Sequence, residues 1–157
     1  MNRIGKGLLA GLAATVGLSA LMVAKGMMGV MPELDIAKMI AGMMGFADQP
    51  IIGWVIHFMI GIVGYGVAIV LLDASLPGNS RTWHGVMIAV AGWLVMMVIL
   101  MLMAGAGMFG MEMGLMAPMM TLVLHIIFGA TLGWVYGRQL DPVSDGPPAM
   151  RKPDRAA

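Results

Sequence analysis

The sequence predicts an all-α integral membrane protein: a bundle of four transmembrane helices, built as a duplicated helical hairpin with a short interfacial helix in the first outer loop. Three observations predict it. The chain is 60% hydrophobic and 11% charged, with a mean hydropathy of +0.91, outside the range of soluble globular domains. Four segments are long enough to cross a hydrocarbon core, which takes about 20 mainly apolar residues per helix. Two of them repeat one another: Gln49-Pro50 opens a run carrying Val55, His57 and Gly61, and Ala117-Pro118 opens one carrying Val123, His125 and Gly129 at the same offsets.

The first span is expected over residues 4–23. Arg3 and Lys6 precede it as they would a signal peptide, but the apolar run is too long for such a segment and no small-x-small cleavage site follows, so it reads as a retained helix. Pro32, Glu33 and Asp35 then open an apolar pattern through Ile36, Ile40, Met43 and Met44, which predicts an interfacial helix over 33–44. The second span covers 51–72, and the polar turn 72–80 with its Pro77-Gly78 step leads antiparallel into a third over 85–103. The loop 104–117, rich in Gly and Met with Glu112 as its single charge, is expected to lie back on the membrane surface before a fourth span over 119–137. These spans define a transmembrane domain, 1–138, of two hairpins, 4–72 and 85–137. The stretch 139–157, with four prolines and alternating charges, is expected to be a disordered cytoplasmic tail.

Orientation follows from the basic residues. With the N-terminus inside, Arg3, Lys6, Arg81, Arg138, Arg151, Lys152 and Arg155 are cytoplasmic, and only Lys25 and Lys38 lie outside. Both termini are then cytoplasmic, and both histidine helices run inward with His57 and His125 at one depth. Aligning Gly7 with Gly85 extends the repeat to the other two helices and sets Gly29 on Gly107. The first half carries ten extra residues before its histidine. Parallel repeats of this kind imply a pseudo-two-fold axis along the membrane normal. Small residues at four-residue spacing, Gly7, Gly11, Thr15 and Ser19 in the first span and Gly129, Gly133 and Gly137 in the last, read as close helix contacts within the bundle or in a homo-oligomer.

Several function classes drop out. A net charge of +1 with no basic stripe interleaved with aromatics gives nucleic acid nothing to bind. The absence of cysteine removes disulfides, thiolate metal sites and thiol catalysis. No Ser-His-Asp set, carboxylate pair, phosphate loop or zinc motif is present, so the expectation is a non-enzymatic protein whose partners are the lipid bilayer and a second copy or a larger membrane complex.

What chemistry remains turns on His57 and His125, since ionisable groups at membrane depth are costly and mark function. Three readings stand open. The working expectation is that the pair binds haem b or a soft metal, as in a subunit of a redox or copper-handling assembly, and the alternative is a structural or assembly protein with no cofactor. Each ring could hydrogen-bond a neighbouring helix and pin the bundle. The pair could ligate haem b: in an up-down bundle the second and fourth helices are diagonal, about 14 Å apart, and Gly61 or Gly129 one turn on would clear space for the porphyrin face. The pair could instead be a station for Cu(I) or Ag(I) beneath a Met-rich mouth carrying Met108, Met111 and Met113, since thioethers are soft ligands and the chain has 21 methionines. His84, beside the interfacial Trp83, is expected to be solvated and without special role.

The segments Met31-Pro32-Glu33-Leu34-Asp35, 102–110 and 116–125 resemble those of a family of small bacterial four-helix membrane proteins of unknown function. The resemblance spans Gly7 to Gly137. It implies a multi-pass protein of the bacterial inner membrane and brings no activity, cofactor or site residue with it.

Overall fold

The computed structural model describes residues 1–32 and 34–140. Five helices follow in order: α1 (Arg3–Met27), α2 (Ile36–Met43), α3 (Pro50–Leu72), α4 (Arg81–Met103) and α5 (Met116–Leu140), with a 3₁₀ segment at Met108–Met113 before α5. Helices α1, α3, α4 and α5 are each long and apolar enough to cross a membrane. They run alternately up and down. One end of the bundle, the terminal side, carries both helix termini and the 73–80 turn; the other, the loop side, carries α2 and the 3₁₀ segment.

Helix α4 begins a turn before its apolar run because a polar cap starts it early, and α1 opens on a cap of the same kind. Asn2 accepts from the Gly5 amide at 2.8 Å to open α1, and Ser80 accepts from the Trp83 amide at 3.4 Å, a turn before the apolar run of α4. Pro50 sits in the first turn of α3, where its missing N–H costs nothing. Asp35 caps α2 by accepting from the Lys38 amide at 3.1 Å, so that helix begins at Ile36 and not at 33. Glu33 itself lies outside the described residues. Helix α5 continues through Gln139 and Leu140, two residues into the expected tail, and Gln139 donates to the Lys6 carbonyl of α1 at 3.2 Å. The rest of that tail, 141–157, lies outside the described residues. The loop before α5 forms the 3₁₀ segment, packed under the methionines of α4.

Helix α1 packs against α3 and α5, and α5 against α4. Around the bundle the order is therefore α3, α1, α5, α4, with α3 and α5 diagonal. Helices α3 and α4 approach through Gly66–Leu72 and Arg81–Val95, on the terminal side, and Tyr65 lays its hydroxyl against Gly92. The closed seams are made by small residues. A side chain at Gly7 would strike the Gly66 carbonyl, one at Gly11 the Gly61 carbonyl, and one at Gly85 the backbone of Gly129 and Gly133. Gly129 in turn would meet the Gly85 carbonyl at 2.5 Å and Ala89 at 2.6 Å. The Gly129 and Gly133 stripe thus faces a neighbouring helix, as small-xxx-small spacing requires.

The same contacts trace the repeat. Gly11 meets Gly61 as Ala89 meets Gly129, and Gly7 meets Gly66 as Gly85 meets Gly133. Between the two stations α3 carries one more residue than α5. It is absorbed by a π-helical segment, Ile60–Tyr65, whose wider turn restores the register. The correspondence reaches the loops: Gly29 and Gly107 take φ of +67° and +75°, and two residues on, Met31 and Phe109 take +49° and +58°. Left-handed backbone is uncommon for non-glycine residues, so its recurrence at matched positions extends the duplication beyond the helices. A second π segment, Met96–Leu100, interrupts α4. Apolar periodicity foresees neither.

Candidate functional site

Because α3 and α4 part company above their terminal ends, the bundle encloses an apolar cavity of about 640 Å³. All four long helices contribute to it, and Ile36, Ile40 and Met43 of α2 close its loop-side end. His57 of α3 and His125 of α5 both line this space, from diagonal helices.

The two imidazoles are held differently. The Nδ1 of His125 lies 2.8 Å from the Thr121 carbonyl, one turn back on its own helix. A carbonyl only accepts, so Nδ1 carries the hydrogen and Nε2 is left as a bare lone pair directed away from its backbone. His57 is packed edge-on against Trp54, ring centroids 5.7 Å apart, and against Phe58 at 6.0 Å. Its Nε2 is buried and has no hydrogen-bond partner among the described residues. Buried polar atoms are nearly always paired, so an orphaned nitrogen on a ring that lines a cavity calls for an explanation.

The model of a family of unknown function, DUF6789, matches residues 1–144. The chain belongs to that family. No curated protein and no solved structure matches it. Membership in DUF6789 supplies no chemistry, so the site must be read from its residues.

In this DUF6789 chain the inter-helix tie at the level of the site is not made by a histidine. Trp93 Nε1 of α4 donates to Thr121 Oγ1 of α5 at 3.0 Å, and that hydroxyl donates to the Ala117 carbonyl at 2.8 Å. Thr121 therefore fastens α4 to α5 through its side chain while its carbonyl orients His125. Sequence reasoning passed over both residues: an isolated Thr and an isolated Trp in apolar helices carry no spacing signal.

The other expected site residues are dispersed. Gly61 borders the cavity, but the place of its absent side chain is filled by the Thr15 hydroxyl, and Gly129 is spent on the seam with α4. Met108 and Met111 are 58% and 55% exposed, and Met113 packs with Met97 and Met101 in a separate loop-side core. The methionines that do line the cavity are Met22, Met43, Met96 and Met103. Among the described residues no three His, Asp or Glu side chains converge on one point.

His84 departs from its expected solvated state. It is 5% exposed, with Nε2 donating to the Gly78 carbonyl at 3.0 Å and Nδ1 2.8 Å from the Asp73 carboxylate. Arg81 stands 3.6 Å from the second Asp73 oxygen. Eleven residues separate Asp73 from His84, and the turn between them folds back to make the bond. His84 belongs to the clamp that closes α3 onto α4 at the terminal side.

Proposed function

We propose that the chain is a multi-pass protein of the bacterial inner membrane, with both ends cytoplasmic, that binds a small membrane-dissolved molecule without transforming it. His57 and His125 are the polar anchors of a largely apolar site, whose other polar side chains are Thr15, Lys25, Tyr65 and Thr121. The observation that carries this reading is the pair itself: two imidazoles from diagonal helices line one cavity, one with an orphaned buried Nε2 and the other with its Nε2 lone pair left over by the bond to Thr121. Pinning the bundle does not account for them, since His125 bonds its own helix and the link between helices is Trp93 to Thr121.

The same lone pairs support a second reading, in which the histidines coordinate haem b or a soft ion such as Cu(I). A ring fixed by an Nδ1–H bond to a carbonyl is the usual disposition of a metal-ligating histidine. The lining methionines Met22, Met43, Met96 and Met103 would be the source of thioethers for the ion, in place of Met108, Met111 and Met113.

Absorption spectroscopy and metal analysis of the full-length protein purified in detergent separate the two. Coordination gives a Soret band or stoichiometric copper that His57→Ala and His125→Ala abolish. The first reading expects neither, and instead a small organic molecule in a solvent extract of wild type that is missing from extracts of both variants. A protein that yields no chromophore, metal or His-dependent molecule would overturn the binding role.

A further inference from the structure

The shape of the cavity and the hydrogen-bond state of its histidines narrow the ligand, on the reading that the pair is a binding site. The cavity is lined from His57 to Leu72 along α3, 15 residues apart. At 1.5 Å rise per residue that is about 22 Å, most of the height of a bilayer core. A site of this volume and that length is a slot. It suits a chain better than a disc or a lone ion. His57, His125 and Thr121 sit towards its loop-side half, and its limb is lined by small residues, Gly64 and Ala68 on α3 and Ala91 and Gly92 on α4, with the Tyr65 hydroxyl of α3 lying against Gly92.

The slot also has a side entrance. Helices α3 and α4 pack on the terminal side, up to the contact of Tyr65 with Gly92, and each carries its π segment where it borders the slot. Such segments are frequent at functional sites. An opening between two spanning helices faces hydrocarbon, so what enters comes from the membrane phase.

The head group follows from the donors and acceptors. His125 Nε2 accepts only, because its proton is on Nδ1 and committed to Thr121. No comparable bond fixes the tautomer of His57, so its Nε2 is free to donate. A hydroxyl is the smallest group that donates to one nitrogen, accepts from the other and crosses hydrocarbon uncharged. We infer that the slot binds a long-chain, hydroxyl-headed lipid, with the hydroxyl between His57 and His125 and the chain running along α3 and α4 towards Leu72. Two sources share this chemistry, a polyprenyl alcohol and a prenylated hydroquinone.

Native mass spectrometry of the full-length protein in lipid nanodiscs tests this with geranylgeraniol, its methyl ether, a prenylated benzohydroquinone and the matching quinone. The expected result is a one-to-one complex with a hydroxyl-bearing probe, at least tenfold weaker binding of the ether or quinone that lacks the donor, and loss of the preference in His125→Phe. The tighter of the two hydroxyl probes names the source. Gly64→Phe should block the slot without disturbing the fold, because a side chain at Gly64 would meet only Ile60 of its own helix, at 3.9 Å; Gly17→Phe, on an open face of α1, should bind as wild type does. Equal binding of alcohol and ether, or undiminished binding by a folded Gly64→Phe, would overturn the inference. A His-dependent Soret band or copper content with no lipid bound would overturn it too, yet leave the pair as a binding site. If no probe binds and no chromophore or metal is present, the binding role falls with it.

Discussion

The Trp93 indole donates to the Thr121 hydroxyl at 3.0 Å, and the Thr121 carbonyl accepts from His125 Nδ1 at 2.8 Å, so one residue links a helix seam to the orientation of a site histidine. The two roles are separable because one belongs to the side chain and the other to the backbone. Thr121→Val keeps the carbonyl and the shape but strands the Trp93 N–H, at a cost of about 1–3 kcal/mol for an unsatisfied buried donor. A lower melting temperature in detergent and a shifted tryptophan emission are expected, with Thr121→Ser restoring both. If the valine variant melts as wild type does, the bond contributes nothing to the α4–α5 seam.

Packing gives the second prediction. Gly129 is pressed against the Gly85 carbonyl and Ala89, so Gly129→Leu must drive α5 from α4. Overpacking ordinarily costs about 1–3 kcal/mol, and here the obstacle is backbone, which yields less than a side chain. Gly17→Leu, with no heavy atom within 4 Å of the added carbon, is the matched control and should be neutral. Comparable thermal melts for the two variants would mean that the glycine seam does not hold the bundle.

Topology is the third. Seven of nine basic residues fall on the sides assigned to the cytoplasm, a bias that normally sets orientation. Reporter fusions within the 73–80 turn and after Arg138 should both report cytoplasm. A periplasmic signal at either point would invert the protein and carry the histidines to the inner leaflet.

Much of this architecture was legible in the residues, and the parts that were not have physical reasons. The number of long helices is written in apolar length, and the matched Pro, His and Gly positions fall on two of them. The start of α4 lies a turn before its apolar run because capping by Ser80 is invisible to hydropathy. His57 and His125 stood out as polar residues at membrane depth and do share a cavity. Met108, Met111 and Met113 stood out by composition alone, and composition does not say which way a thioether points. His84 looked solvated because it lies near the polar turn, yet its partner Asp73 reaches it only after the turn folds. The π segments leave no periodic trace, because one extra residue in an apolar helix resembles any other.

The clamp at that turn gives a fourth prediction. His84 is buried with a carboxylate on one nitrogen and a carbonyl on the other, so His84→Phe would leave Asp73 with Arg81 alone and the Gly78 carbonyl without its donor. Breaking a buried pair costs about 3–5 kcal/mol, and Asp73 is partly solvated, so a loss nearer the lower figure is expected in a denaturant melt. Ligand content at the distant His57 and His125 should be unaffected in the folded fraction. A variant that keeps its stability would show the clamp to be incidental to the closure of α3 on α4.

The last prediction concerns how the two site histidines act together. His125 makes one bond within its own helix and His57 Nε2 makes none, so neither holds the bundle. His125→Ala should therefore cost no more than the about 0.5–1.5 kcal/mol of a single hydrogen bond, and His57→Ala should relieve an orphaned nitrogen and leave stability level or slightly raised. Binding should behave otherwise. If both imidazoles grip one head group, removing either breaks the same arrangement, and the double variant should lose distinctly less affinity than the sum of the two single losses, since contacts on one partner couple. Strict additivity in a double-mutant cycle would mean that the rings serve separate contacts, and a large loss of stability in either alanine variant measured without ligand would return both histidines to a structural role.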